Sequence, residues 1–293
     1  MIKLLRRDPI QTPLQVIPYQ RRHRQAVREL LFRHEHSHTH LDWQETDAWL
    51  DSQEGPVRLA WQGARLVGVI GASEPLEGTC WLRLLAVHDA VHTDGVLSAL
   101  WGDMQVELAR LGVVSAALLM LRDWLFDHAG ALGFSFAEEI VTLRRADQDP
   151  PPEMLPAGLM LRAARPDDLE AVVRVDHAAF AVPWQMTRRE LYQAERMAAH
   201  YTVAVLDGAI MGYQICTVYF EGAHLARLAV DPRAQGMGVG GALLAGALRH
   251  FARRGLFAMT VNTQSRNERS QRLYLRAGFR HNGYNMPVWM ADV

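Results

Sequence analysis

The chain repeats itself. Setting Val87 on Val230 lays residues 84–100, LLAVHDAVHTDGVLSAL, over residues 227–243, RLAVDPRAQGMGVGGAL, almost without gaps. Farther on, LGF at 132–134 falls over AGF at 277–279. Internal similarity of this length constrains the fold more than any single motif, because each copy must be a unit of the same kind. The copies are not equal. Gly95 stands opposite Gly238, but His92 replaces Gln235 and Leu97 replaces Gly240.

Between the copies lies RRADQDPPPEMLPAG, residues 144–158, with Pro150, Pro151, Pro152 and Pro156 and no apolar periodicity. Consecutive prolines extend the backbone and remove donors, so the stretch reads as a stiff linker. The expected division is a first domain over 1–146, a linker over 147–158 and a second domain over 159–293. A length of 293 residues suits two ordinary domains.

Each copy alternates strand and helix patterns, which defines an α/β fold. In the second, the strand GLMLRAA leads to Pro166, Asp167 and Asp168, a favoured helix opening. Thr187 and Glu190 have capping-box spacing for the helix RRELYQAERMA. TVAVL and GYQICTVYF are parted by Asp207 and Gly208, a hairpin signal. HLARLAV, the glycine run, the helical ALLAGALRHFARR, the strand FAMTV and the helix NERSQRLYLRAG follow. The first copy repeats this order: a strand and helix in VIPYQRRHRQAVRELLF, a hairpin in VRLAWQGARLVGVIGA, a strand in CWLRLLAV.

The run QGMGVGG at 235–241 opens an apolar helix, and three phosphate motifs compete for it. A P-loop needs Lys then Ser or Thr, whereas Gly241 and Ala242 stand there. Gly236, Gly238 and Gly241 satisfy the dinucleotide spacing. DPRAQ separates them from the strand, however, and the next strand ends at Asn262 and Thr263 without an acid for a ribose. The third pattern is Gln/Arg-x-x-Gly-x-Gly, met by Gln235, Gly238 and Gly240 after a strand ending Ala-Val-Asp-Pro. A tight glycine turn points successive N–H groups into one concavity, and the following helix adds its positive end.

This third pattern resembles the coenzyme A pyrophosphate loop of the GCN5-related N-acetyltransferase (GNAT) superfamily. The resemblance continues through Asn267, Ser270, Tyr274, Gly278 and Phe279, which follow the family's Asn-x-x-Ala-x-x-x-Tyr-x-x-x-Gly-Phe, with Ser270 in the alanine position. It covers the second half and, in degenerate form, the first. It implies two tandem GNAT-like domains, each a mixed, mostly antiparallel sheet flanked by helices. The implied cofactor site takes in Leu228, Ala229, Val230, Gln235, Gly236, Met237, Gly238, Val239, Gly240, Gly241, Asn267 and Ser270. Acetyl-CoA is the implied co-substrate, with its pantetheine arm between HLARLAV and FAMTV, and no metal is expected. A backbone N–H near the strand centre would stabilise the developing oxyanion.

Acyl transfer to an amine needs one proton removed and one supplied. The resemblance makes Tyr274 the acid. AFAVPW is similar to the Phe-Pro-Trp loop of ribosomal-protein N-terminal acetyltransferases, but Asn262 stands where they carry a Glu. AHLARLAV is similar to the corresponding strand of serotonin N-acetyltransferases, which makes His224 a candidate base. Strand alternation sets His224, Ala226 and Leu228 on one face. Glu221 or a water chain are the alternatives. In the first copy Ala129 matches Tyr274 and Arg122 matches Asn267, so that copy lacks the apparatus and its expected work is structural.

The remaining features bound the partners. His34, His36, His38 and His40 recur at every second position, giving i, i+4 pairs on a helix that could bind zinc; a solvated polar loop is the plainer expectation. Arg253, Arg254, Arg266 and Arg269 are candidates for a 3′-phosphate. Net charge is −1, which points to neither nucleic acid nor a membrane surface. Cys80 and Cys216 stand alone, MIKLLRRDPI is too short and charged for a signal peptide, and no run is long enough to span a bilayer. A cytoplasmic location is expected.

The expected activity is direct transfer of acetyl from acetyl-CoA to a primary amine of a small molecule or peptide. Two alternatives stand beside it. The tandem layout resembles mycothiol synthase, which acetylates the amine of a thiol-containing amino sugar conjugate. The other is a non-catalytic acyl-CoA sensor or scaffold.

Overall fold

The computed structural model describes residues 13–152, 155–220 and 222–293. The segment MIKLLRRDPI and the candidate base Glu221 lie outside the described residues. The chain divides into two compact units, one running to Ser135 and including Met290–Val293, the other Phe136–Trp289.

The first unit runs β1 (Leu14–Pro18), α1 (Arg24–Arg33), β2 (Ser37–Thr39), α2 (Thr46–Ser52), β3 (Val57–Gln62), β4 (Arg65–Ala72), β5 (Thr79–Val87), α3 (Thr93–Arg110), β6 (Ser115–Leu119) and α4 (Asp123–His128). Its sheet order is β1-β3-β4-β5-β6, with β2 on β5. Among the described residues of this sheet, only β5 and β6 pair in parallel. The whole of β5, Thr79 to Val87, is buried, which suits its mostly apolar sequence.

The histidine run is neither a helix nor a solvated loop. Residues 37–39 form β2, so His38 lies within a strand while His34, His36 and His40 flank it, and no helix pairs them at i, i+4. His38 is 1 % exposed, and neither ring nitrogen has a partner. Burial pushes its pKa down to about 3, so the ring is neutral. His34 reaches Asp89 at 3.0 Å, and His40 reaches Asp42 at 3.3 Å. Among the described residues no group of three or more His, Cys, Asp or Glu side chains is placed to hold a metal ion.

The second unit runs β7 (Ser135–Arg145), β8 (Leu159–Ala163), α5 (Leu169–Ala179), α6 (Arg188–Met197), β9 (His200–Leu206), β10 (Ala209–Tyr219), β11 (Gly222–Val230), α7 (Val239–Ala252), β12 (Met259–Gln264), α8 (Glu268–Arg276) and β13 (Arg280–Asp292). The strand order is β13-β7-β12-β11-β10-β9-β8. Local chemistry sets the ends of these elements. Thr187 and Glu190 close the capping box of α6 reciprocally, at 3.1 and 2.9 Å. Asp207 and Gly208 both take positive φ, 49° and 80°, in the β9–β10 turn.

The strand β7, which precedes the proline run, pairs with β12 from Met259↔Arg145 to Gln264↔Ile140. The proline-rich stretch then lies against the same unit. Arg145 donates to the carbonyls of Asp147 and Asp149, and Arg249 to that of Pro151 at 3.3 Å. Those bonds use carbonyls that a proline run leaves without ladder partners. No helix among the described residues is long and apolar enough to cross a membrane.

Candidate active site

The second unit contains a fork in its sheet. β11 and β12 run parallel and pair only at Ala223↔Met259, His224↔Thr260 and Leu225↔Val261. Beyond Leu225 the strands part, although β11 continues to Val230 and β12 to Gln264. A bulge opposite Ile215 and Cys216 marks the same level, where Leu225 pairs with Cys216 and Arg227 with Ile215, leaving Ala226 extra. An extra residue bends the strand and increases its twist, which carries β11 away from β12.

The bulge also corrects the expected facing. Ala223 and Leu225 pack with Leu244, Ala247 and Leu248 of α7, and Leu228 packs with the same cluster. Leu228 therefore does not share a face with His224; after the bulge Arg227 takes that place. Backbone direction follows from the ladder. The N–H of Asp231 bonds the carbonyl of Met211 at 2.9 Å, and Ala229 pairs with Tyr213. Alternation turns Ala229 toward β10 and the N–H groups of Leu228 and Val230 into the fork. Of the three strand residues expected at the cofactor, Leu228 and Val230 thus present backbone donors there and Ala229 does not.

The glycine turn closes the open end of the fork. Gly236 and Gly238 have φ of 83° and 87°, a region other residues enter only at a cost. A Cβ on Gly236 would meet nothing within 4 Å, whereas one on Gly238 would sit 3.0 Å from Pro156. Gly238 is the N-cap of α7 and supplies no side-chain acceptor, so its own position leaves the first helical N–H groups uncapped. Gly240 has a different task from the one expected. A Cβ there would lie 3.4 Å from Leu273 and 3.6 Å from Val230, so its bareness serves close packing of α7 on α8 and β11. Gly241 is open, Met237 is exposed, and Val239 buries its side chain in the core. Gln235 ties the turn together: its amide donates to the carbonyl of Val230 at 3.0 Å and accepts from Arg269.

On the α8 side, Asn267 caps the helix by accepting from the N–H of Ser270 at 3.1 Å. Tyr274 is 4 % exposed and packs with Leu225 and Val261, the residues at which the strands part, and with Cys216. Burial first, and the neighbouring Cys216 second, push the Tyr274 phenol above its ordinary value. Its proton is held firmly in the neutral range. Arg253 and Arg254 follow the C-terminus of α7, a helix of 14 residues, so they lie about 20 Å from its N-terminal turn. They do not join Arg269 at the loop.

The opposite face carries the candidate base His224 and, beside it, groups that the sequence reading missed. His224 lies there, with Nδ1 2.9 Å from the Thr260 hydroxyl. Arg227 donates to Asp176 Oδ2 at 2.8 and 2.6 Å and to the Trp184 carbonyl at 2.6 Å. Its guanidinium stacks 3.7 Å from the Phe180 ring centroid. Asp176 is fully buried and also accepts from the Tyr213 hydroxyl and, at 2.9 Å, from the N–H of Met186. Breaking such a pair from one side costs on the order of 3–5 kcal/mol, which makes it a firm anchor for the α5–α6 connection. Trp184 then extends its indole N–H to Glu138 of β7 at 2.7 Å. The connection is therefore tied to β11 on one side of the fork and to β7 on the other. A signal was available: Asp176 sits on the core side of an apolar helix and Arg227 within an apolar strand, and buried opposite charges seek each other.

A parallel pair opening into a fork, a glycine turn on a helix at its mouth and a buried tyrosine at its base define an acetyltransferase of the GNAT kind. Comparison with known proteins agrees. Residues 169–279 match the Acetyltransferase (GNAT) family. Proteins named mycothiol acetyltransferase are similar over most of the chain. That of an Arthrobacter species is 31% identical over 254 residues, covering 78% of this chain and 73% of the relative. That of Clavibacter michiganensis is 30% identical, with 81% of each covered, and that of a Nocardioides species is 29% identical, covering 74% of this chain and 91% of the relative.

Among solved structures, a tandem GNAT protein from the clavulanic acid biosynthesis pathway superposes with a TM-score of 0.63 at 18% identity, covering 96% of this chain and 98% of that one. A GCN5-related N-acetyltransferase from Sphaerobacter thermophilus gives 0.61 at 17%, with 95% of each covered. The chain belongs to the GNAT acetyltransferase family, in tandem form with a degenerate first copy.

Proposed function

We propose that the chain transfers acetyl from acetyl-CoA to a primary amine of a small molecule by direct attack, in the second unit. The observation that carries this is the fork after Leu225 and Val261, with Tyr274 packed at its base and the Gly236–Gly238 turn at its mouth. The residues suit the cofactor. The turn offers uncapped helix N–H groups to a diphosphate, and the N–H groups of Leu228 and Val230 suit an amide-bearing arm.

His224 and Tyr274 lie on opposite faces of the sheet near the parting of the strands. In this reading His224 accepts the amine proton, directly or through water, on the face where the acceptor enters. The amine nitrogen bonds to the thioester carbon, a backbone N–H in the fork stabilises the oxyanion, and the carbon–sulfur bond then breaks. Tyr274, kept protonated by burial, gives its proton to the departing thiolate on the other face. Asn267 and Ser270 support the site by capping α8 rather than by reaching the fork.

A second reading concerns the acceptor. The named relatives cover most of both chains, which favours a mycothiol-type acceptor: the amine of a thiol-containing amino sugar conjugate. Calorimetry with acetyl-CoA tests the cofactor reading. One site per chain is expected, lost in Gly238→Glu; no binding by the native chain refutes it. Thiol release with a panel of amines then separates an enzyme from a sensor, since a sensor binds acetyl-CoA and releases thiol with none of them.

A further inference from the structure

The fork is built twice, and the first one is filled. In the first unit β5 pairs in parallel with β6 from Thr79↔Ser115 to Leu82↔Leu118, and β5 then runs on to Val87. The alignment that sets Val87 on Val230 sets Leu82 on Leu225, so the two forks open at the same residue. Beyond Leu82, however, β2 lies antiparallel against β5, with Ser37↔Ala86, His38↔Leu85 and Thr39↔Leu84. The N–H of Val87 bonds the carbonyl of His36 at 2.9 Å, and the N–H of His40 bonds the carbonyl of Arg83 at 2.8 Å. Ladder alternation closes the His38–Leu85 pair between them. The other edge of β5 is covered by β4. The edge groups that β2 takes, at Leu85 and Val87, are the counterparts of the Leu228 and Val230 N–H groups that point into the fork of the second unit.

The mouth of the first fork is occupied as well. The N-terminus of α3 is capped by His92, whose Nδ1 accepts from the N–H of Gly95 at 3.2 Å, where α7 begins on an uncapped glycine turn. The two loops meet different side chains at the strand edge. β2 belongs to the α1–α2 connection, and in the second unit the α5–α6 connection is held by the Arg227 side chain through the Trp184 carbonyl. The counterpart of Arg227 is the fully buried Leu84, which offers no donor, and the adjacent Arg83 binds at the far end of β2, to the His40 carbonyl and Asp42. The loop backbone meets the strand backbone instead, and an unpaired edge is satisfied by the chain itself.

We propose that β2 is a built-in occupant of the first unit's fork: residues 37–39 lie where an amide-bearing acyl carrier would lie, and the chain has one acyl-CoA slot, in the second unit. The part about the second unit rests on the function proposed above.

Amide hydrogen exchange on the full chain, with and without saturating acetyl-CoA, tests this. The amides of Leu85 and Val87 are expected to be protected without ligand and unchanged by it, while those of Leu228 and Val230 slow at least tenfold on saturation. Fast exchange at Leu85 and Val87 without ligand overturns the proposal, as does further slowing there on saturation. A second acetyl-CoA per chain that survives Gly238→Glu also overturns it. If acetyl-CoA changes no amide in either unit, the proposed function fails, while protection at Leu85 and Val87 without ligand still upholds the filled fork.

Discussion

Removing one oxygen atom from Tyr274 separates its chemical role from its structural one. The ring is 4 % exposed and packs with Cys216, Leu225, Val261 and Phe279, so Tyr274→Phe keeps the ring that fills this space. A swap that conserves shape costs under about 1.5 kcal/mol of stability. The glycine turn and the Leu228 and Val230 N–H groups are untouched, so acetyl-CoA affinity should hold within about twofold. What is lost is the proton for the departing thiolate, and general acids contribute roughly 100- to 10,000-fold. Steady-state kinetics with a chosen amine should therefore show kcat reduced at least about 100-fold, with calorimetric affinity unchanged.

The pH dependence carries its own sign. An acid works while protonated, and burial with Cys216 nearby holds the Tyr274 proton to above the ordinary tyrosine value of 10. The native enzyme should accordingly keep its activity on the alkaline side up to about pH 10. Equal losses of kcat and acetyl-CoA affinity in the Phe variant would refute the acid role, as would an unchanged kcat.

Two further outcomes follow from named residues. His224→Asn should lower kcat/KM at least about 100-fold, the loss expected for a general base, and most for the most basic amines; an unchanged kcat/KM assigns the proton to another acceptor. His38→Leu replaces a buried imidazole with no partner on either nitrogen, and should raise the chemical-denaturation stability at pH 7.5 by about 1 kcal/mol or more. In the native chain the unfolded state takes up the His38 proton first as pH falls below 6.5, so stability is full above 6.5 and is lost toward about 3. By pH 4 that loss reaches roughly 3 kcal/mol, and the Leu variant should lack it; equal acid sensitivity of both chains would contradict the buried neutral ring.

The residues that make local structure were legible in the chain. The Thr187–Glu190 box, the Asp207–Gly208 turn and the positive-φ glycines 236 and 238 act through bonds and dihedrals within a few positions, so their chemistry is visible in their neighbours. The duplication carried the fold class, because two copies of one strand and helix order need two sheets of one kind. Tyr274 could be placed through its motif with Asn267, Gly278 and Phe279, all on one helix and its exit.

Other features depended on where strands meet across long separations. The extra residue Ala226 reverses the strand's facing, and only pairing with Ile215 and Cys216 reveals it. The histidine run looked like a surface loop because its polar composition outweighs three residues of strand; pairing with β5 buried His38. Arg227, Asp176, Trp184 and Glu138 span β11, α5, its following loop and β7, and no spacing within one segment joins them. Sequence alone determined the two-copy GNAT architecture and the glycine turn, since these follow from local backbone preference and repetition. Tertiary structure decided which fork is open, because that turns on whether the loop backbone pairs with the strand edge, a long-range contact that no local spacing shows.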